Sequence, residues 1–170
     1  IPEYFRLRFY ETRDIFPDFA LQIGGGQNIY NYSYYGIANP LYLPAYALPF
    51  VKMCSYIQFI SLITVLASAI LGYFFFKGHF RKKISLILSV ILLCSGGLFY
   101  HSHHHIMFMN YFPFLMGTLM GCRKKNSPVN ILLMAAMSYC IMCTSFYFSV
   151  GCFASVLIYM IYLELQKNKR

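Results

Sequence analysis

Apolar positions in this chain fall into long runs separated by short polar clusters, and the length of each run predicts an element. The longest unbroken run extends from Cys54 to Phe76. At about 23 residues and 1.5 Å per residue it spans a hydrocarbon core of roughly 30 Å with some tilt. Runs from Ile84 to Tyr100 and from Ile106 to Gly121 are shorter and need flanking residues to complete a crossing. The run from Val129 to Leu165 is too long for one crossing. Thr144, Ser145, Ser149 and Gly151 in its middle suit a tight turn at an interface, so it predicts two short helices. The pattern is that of an all-α polytopic membrane protein. Residues 54-170 form a bundle of about five transmembrane helices, and residues 1-53 form an extracytoplasmic loop segment with interfacial helices.

Charge tests this scheme independently. Lys77, Arg81, Lys82 and Lys83 follow the first helix, Arg123, Lys124 and Lys125 the third, and Lys167, Lys169 and Arg170 the fifth. These are ten of the fourteen cations, all on alternate loops, as the positive-inside rule requires for an odd number of crossings that start outside. The expected setting is a membrane crossed several times, with residues 1-53 and 101-105 outside and the C-terminus in the cytoplasm. Composition agrees, at 59% hydrophobic and 11% charged. The net charge of +9 then reflects membrane orientation, and nucleic acid is not an expected partner. The six cysteines sit within or at the ends of the predicted helices and read as small apolar fillers; Cys140-x-x-Cys143 inside a helix is not expected to act in redox chemistry. Ile1 is followed by polar and aromatic residues with no apolar leader, which suggests an excerpt of a longer polypeptide.

Four of the five acidic residues, Glu3, Glu11, Asp14 and Asp18, lie in the first eighteen positions among Arg6, Arg8 and Arg13. Charged and aromatic positions alternate over residues 3 to 16, as expected of a helix lying at the headgroup boundary. Glu11, Asp14 and Asp18 are three and four apart and would share a face if the helix continued, where a carboxylate could serve as a base or hold a divalent cation, a candidate cofactor. Pro17 argues against continuation past Phe16. Gly24-Gly25-Gly26 permits positive φ and close backbone approach, and the amides of Gln27 and Asn28 supply donors for sugar hydroxyls or phosphate oxygens; a plain flexible turn is the alternative. Tyr30, Tyr32, Tyr34 and Tyr35 suit an interfacial belt, and Pro40, Pro44 and Pro49 keep residues 40 to 50 from spanning.

His101-Ser102-His103-His104-His105 holds four of the five histidines between two apolar runs. A titratable cluster at such a rim costs free energy unless something wet, charged or metallic meets it. A metal, a lipid phosphate and simple interfacial anchoring are all compatible with it. Asn110 and Pro113 place a polar amide and a missing backbone donor in the third helix, which should therefore pack against protein or a wet cavity.

Ile1-Pro2-Glu3-Tyr4-Phe5-Arg6, Phe9-Tyr10-Glu11-Thr12, Pro17-Asp18-Phe19, Gly24 to Asn31, Tyr34-Tyr35-Gly36 and His104-His105-Ile106-Met107-Phe108 with Asn110-Tyr111 and Pro113-Phe114 together resemble the YfhO family of bacterial membrane proteins. The resemblance covers roughly residues 1 to 120. It implies a likeness to GT-C glycosyltransferases, which move a sugar from a polyprenyl-phosphate donor to a cell-envelope polymer such as lipoteichoic acid on the outer face. It also implies a catalytic carboxylate in the first outer loop, of which residues 1 to 53 resemble the later part. On that basis Asp18 and Glu11 are candidates for the base that deprotonates the acceptor. Gly25, Gln27, Asn28, His103 and His105 are candidates for donor binding, the histidines by offsetting charge on the departing phosphate. A transporter or flippase of the lipid-linked sugar, or a non-catalytic membrane subunit, are the alternatives; broken helices and a polar site at mid-depth would favour transport.

Overall fold

The structure, a computed structural model, describes residues 2–14, 19–20, 26–28, 39–94, 110–123, 127–144 and 146–168. The elements are α1 (Pro2–Thr12), β1 (Phe19–Ala20), β2 (Gln27–Asn28), a 3-10 helix (Leu43–Ala47), α2 (Met53–Lys77), α3 (Lys82–Leu93), α4 (Phe112–Cys122), α5 (Pro128–Thr144) and α6 (Phe146–Asn168). The regular elements are helices apart from the short antiparallel pair, in which Phe19 pairs with Asn28 and Ala20 with Gln27.

Helix ends follow from local chemistry. α1 stops because Arg13 takes a left-handed conformation, φ 63°, one residue past its end. That is earlier than the expected stop near Pro17, and it takes Asp14 out of register with Glu11. Prolines open α4 (Pro113) and α5 (Pro128), where a missing N–H costs no helical bond. Of the turn expected over Thr144 to Gly151, Thr144 ends α5, Ser149 and Gly151 are inside α6, and Ser145 lies outside the described residues.

Contacts fix the helix directions. The turn at residues 78–81 sends α3 back along α2, where Ser89 Oγ donates to the Ala69 carbonyl at 2.7 Å. α4 runs parallel to α2, since Thr64 meets Asn110 near one end and the Gly78 carbonyl meets Arg123 at the other. α5 is antiparallel to α4, with Gly121 against Met134 and Gly117 against Met137. The Tyr111 ring stacks on Phe148 at 5.6 Å, and Tyr159 lies within electrostatic reach of Cys122 and Arg123, so α6 again runs with α4. Lys77, Arg81, Lys82, Lys83, Arg123 and Lys167 therefore share one end of the bundle, while α1 and the 3-10 helix lie at the other.

The polarity of α2 and α3 is inverted relative to a water-soluble fold, whereas α4 buries Leu115, Met116 and Leu119 in an apolar core with Ile141. α2 buries Ser61, Thr64, Ser68 and Gly72, a stripe spaced three, four and four residues, and exposes Phe59, Leu62, Leu66 and Ile70 by more than half. Its partner α3 buries Ser85 and Ser89 and exposes Leu86, Ile87, Val90 and Ile91. In water each exposed leucine or isoleucine forgoes roughly 1.5–3 kcal/mol of burial, whereas a hydrocarbon surround removes that penalty. Small residues at the helix contacts and apolar ones outside are what such a surround selects. Among the described residues two helices, α2 and the Tyr147–Asn168 part of α6, are long and apolar enough to cross a membrane; α4 and α5 are apolar but shorter.

The stripe predicts an asymmetry between two faces of one helix. Ser68→Leu should lower stability by about 1–3 kcal/mol through overpacking. Leu66→Ala, two positions away on the outer face, should change it by less than about 0.5 kcal/mol. Unfolding midpoints of the two variants in one detergent test this, and equal losses would refute the assignment of faces.

Candidate functional site

At the α1 end, a salt bridge joins a helix to the start of the bundle. Arg6, 4% exposed, donates from Nη2 to both Glu3 oxygens at 2.8 Å, and from Nη1 to the Leu48 and Val51 carbonyls at 3.2 and 2.6 Å. The Glu3 carboxylate also accepts the Met53 N–H at 3.3 Å. It thus satisfies one of the free donors at the α2 N-terminus and sits where the helix dipole favours an anion. Tyr10 donates to the Tyr46 carbonyl at 2.5 Å, and Phe9 packs edge-on against Tyr46, so a second turn of α1 is held to the 3-10 helix. A groove of about 460 Å³ runs beside this clamp between Glu3, Arg6, Lys52 and Met53, with Phe50, 98% exposed, at its lip.

Beneath the clamp lies a buried polar chain. Asn110 Nδ2 donates to the Tyr42 hydroxyl at 2.9 Å, and its Oδ1 is 2.7 Å from the Thr64 hydroxyl, which also lies 2.9 Å from the Ser61 carbonyl and so shares its one hydrogen. Tyr56 donates to the Leu41 carbonyl, and the Leu41 N–H is taken by Asn39 Oδ1. Thr64 is eleven residues into α2, about 17 Å along its axis. Burial pushes the Tyr42 phenol well above its ordinary value, so it stays a neutral hydrogen-bonding group. Ser61 Oγ and Asn39 Nδ2 are buried without a hydrogen-bond partner among the described residues. The expectation that Asn110 faces protein is met, at 1% exposure. Interior polar groups are more numerous than the sequence suggested.

Of the candidate residues, Glu11 is described in full. Its carboxylate accepts from Arg8 Nη1 at 2.9 Å, and both side chains are substantially exposed, 63% and 35%. Gln27 and Asn28 form β2, entered through Gly26 at φ 93°, a conformation that suits glycine. Asp18, Gly25, His103 and His105 lie outside the described residues, Asp18 immediately before β1 in sequence. Among the described residues no three histidine, cysteine or carboxylate side chains gather as a metal site would require. Arg6, Tyr42 and Thr64 were not singled out from the sequence. The one available signal was the spacing of Ser61, Thr64 and Ser68 within an apolar run.

The opposite end is cationic. Arg123 Nη2 donates to the Gly78 carbonyl at 3.0 Å, and His79 Nε2 is 2.8 Å from the Tyr159 hydroxyl. Lys77 sits about 6 Å above the rings of Tyr73 and Phe74. Partial burial lowers the His79 pKa from its ordinary value, and the nearby Arg123 charge lowers it further.

Removing Arg6 strands two carbonyls and loosens the α2 cap, so Arg6→Ala should cost about 1–3 kcal/mol. Glu3→Gln should cost less, and a double-mutant cycle should show coupling; additive effects would count against the clamp. The folded chain disfavours protonated His79, while the unfolded imidazole takes a proton below about pH 6.5. The stabilising contribution is therefore complete above that pH and declines as pH falls from about 6.5 through the lower folded value. Wild type should lose more stability than His79→Gln between about pH 7.5 and 5.5, and parallel pH profiles would contradict this. No protein-family model, curated protein or solved structure matches the chain.

Proposed function

We propose that this chain is a multi-pass membrane segment of about five spanning helices, and that it is part of a YfhO-like glycosyltransferase of GT-C type acting at the outer face of a bacterial plasma membrane. The observation that carries the first half is the inverted polarity of α2 and α3 together with the gathering of six described cations at one bundle end. Glu3 and Glu11 are both on α1 at the other end, the side from which a lipid-linked donor would be met if the cationic end faces the cytoplasm. The second half rests on the sequence resemblance over residues 1 to 120.

In this reading a carboxylate, Asp18 or Glu11, takes the proton of an acceptor hydroxyl as its oxygen bonds to the anomeric carbon of the donor sugar. The bond from that carbon to the phosphate oxygen breaks, and its electron pair leaves with the polyprenyl phosphate. His103 and His105 offset charge on the leaving phosphate, while Gly25, Gln27 and Asn28 contact donor oxygens. A divalent cation at the carboxylates remains a candidate cofactor, and a cell-envelope polymer is the acceptor. The Glu11–Arg8 pair suits such a task. An exposed pair is worth under about 1 kcal/mol, so a phosphate that draws Arg8 away frees Glu11 at little cost.

Transport of the lipid-linked sugar is the second reading, favoured by one observation: Tyr42, Thr64 and Asn110 place polar groups inside the bundle rather than at its rim.

Reporter fusions after Asp14, Phe80, Asn126 and Arg170 test the orientation. The first should report outside and the other three the cytoplasm, and any other pattern overturns the count. In the full-length protein, Asp18→Asn and His105→Ala should each lower sugar transfer from a polyprenyl-phosphate donor by roughly 100-fold or more. Full activity in both would reject the site, and donor movement without transfer by the intact protein would favour transport.

A further inference from the structure

At the cationic end, a cavity of about 360 Å³ opens between the α2–α3 turn, the end of α4 and the last turns of α6. Its lining includes Gly78, His79, Arg123, Tyr162, Gln166 and Lys167, with no carboxylate among the described lining residues. Three separate elements thus bring a guanidinium, an ammonium, an amide and an imidazole to one opening. Each of these is a donor when it meets an oxyanion, and a guanidinium presents its donors as a planar fork.

The donors are arranged rather than scattered. The Arg123 guanidinium is laid over the turn by its bond to the Gly78 carbonyl, and a Cβ at position 78 would occupy the place the guanidinium takes. Gly78 lies in the right-handed helical region, so its missing side chain serves the space and not the backbone angle. His79 is tethered to Tyr159, whose ring stacks on that of Tyr162 at 6.2 Å. Gln166 Nε2 donates to the Tyr162 hydroxyl at 3.0 Å. Around the opening the bundle offers apolar outer faces, with Leu165 and Ile161 of α6 more than half exposed.

We propose that this cavity is a binding site for a phosphate group, held by Arg123 and Lys167 with the His79 and Gln166 side chains beside it, and that its occupant is the headgroup of an anionic phospholipid in the cytoplasmic leaflet. The lipid source is favoured over free phosphate because the cationic opening is continuous with apolar helix faces that acyl chains would cover. The orientation rests on the membrane topology proposed above; the chemistry of the site does not depend on sugar transfer.

The test is lipid retention by the full chain, purified from mixed anionic and zwitterionic phospholipid nanodiscs into detergent and examined by native mass spectrometry. Wild type should keep an anionic phospholipid in preference to the zwitterionic one. Arg123→Gln and Lys167→Gln should each lower that occupancy roughly tenfold, as expected for losing a hydrogen bond to a charged partner. Gly78→Ala retains every charge but displaces the guanidinium, and should weaken retention while the fold, read by circular dichroism, is unchanged. Lys82→Gln and Lys83→Gln remove equal charge from the same end outside the cavity, and should leave retention nearly intact. Equal losses in these control variants, or equal retention of the zwitterionic lipid by wild type, would overturn the site. Displacement of the lipid by millimolar inorganic phosphate, sensitive to Arg123→Gln, would support the phosphate site and identify free phosphate as a competing occupant. Loss of sugar transfer or a revised topology would refute the proposed function and leave this measurement standing.

Discussion

A hydroxyl inside a helical bundle has few partners besides the carbonyls of its own and neighbouring helices, and that constraint organises this protein. Ser68, Thr118 and Thr144 donate to carbonyls four residues back, at 2.6, 2.9 and 2.7 Å, and Ser89 reaches across to the Ala69 carbonyl. Each bond lets a small polar residue occupy a helix contact without a stranded donor. Small side chains in turn let helices approach closely, as at Gly72, where an added Cβ would stand 3.1 Å from Leu92 Cδ2. On α2 and α3 most leucines and isoleucines are left to the outside, while Leu115, Leu119 and Ile141 pack in the core around α4. Where the surround is hydrocarbon this is the favourable division, because apolar exposure there costs nothing and a bare hydroxyl costs several kcal/mol.

α2 carries most of the consequences. Its N-terminus is capped by Glu3 and, through Arg6, tied to the preceding turn. Its middle takes part in the Thr64–Asn110–Tyr42 chain, and its C-terminal turn receives Arg123. One helix thus meets the acidic end, the buried amide and the cationic end in succession. A displacement of α4 along α2 would have to break both the Asn110 and the Arg123 bonds, so these two contacts fix the register of the pair from opposite ends.

The sequence made some of this legible and not the rest, for physical reasons. α2 was readable to within a residue at each end because one unbroken apolar run determines a spanning helix. The interruption between α5 and α6 was also readable, but its extent was not. Ser149 and Gly151, turn formers in water, are accommodated in a helix, where a serine hydroxyl can bond a backbone carbonyl of the preceding turn. The end of α1 was missed because a left-handed arginine leaves no mark in composition. Asn110 stood out as a lone amide in an apolar stretch. Its partners did not, since Thr64 and Tyr42 are 46 and 68 residues away and no local spacing encodes such a pairing. The Arg6 contacts to Leu48 and Val51 were hidden for the same reason.

The two arginine–glutamate pairs of α1 have the same i, i+3 spacing and opposite uses. Arg6 is buried and holds Glu3 through both oxygens, while Glu3 also caps α2. Recruiting Glu3 for proton transfer would leave a buried guanidinium and a helix N-terminus uncompensated, a penalty of several kcal/mol that would loosen the end of the bundle. Glu11 lies largely in solvent and Arg8 is about a third exposed, so separating this pair costs less than about 1 kcal/mol. Of the two α1 carboxylates, Glu11 is therefore the one that can be drawn away from its arginine at little cost, while Glu3 holds the scaffold. Identical spacing thus carries different work, set by the burial of Arg6 and by the Glu3 cap on α2.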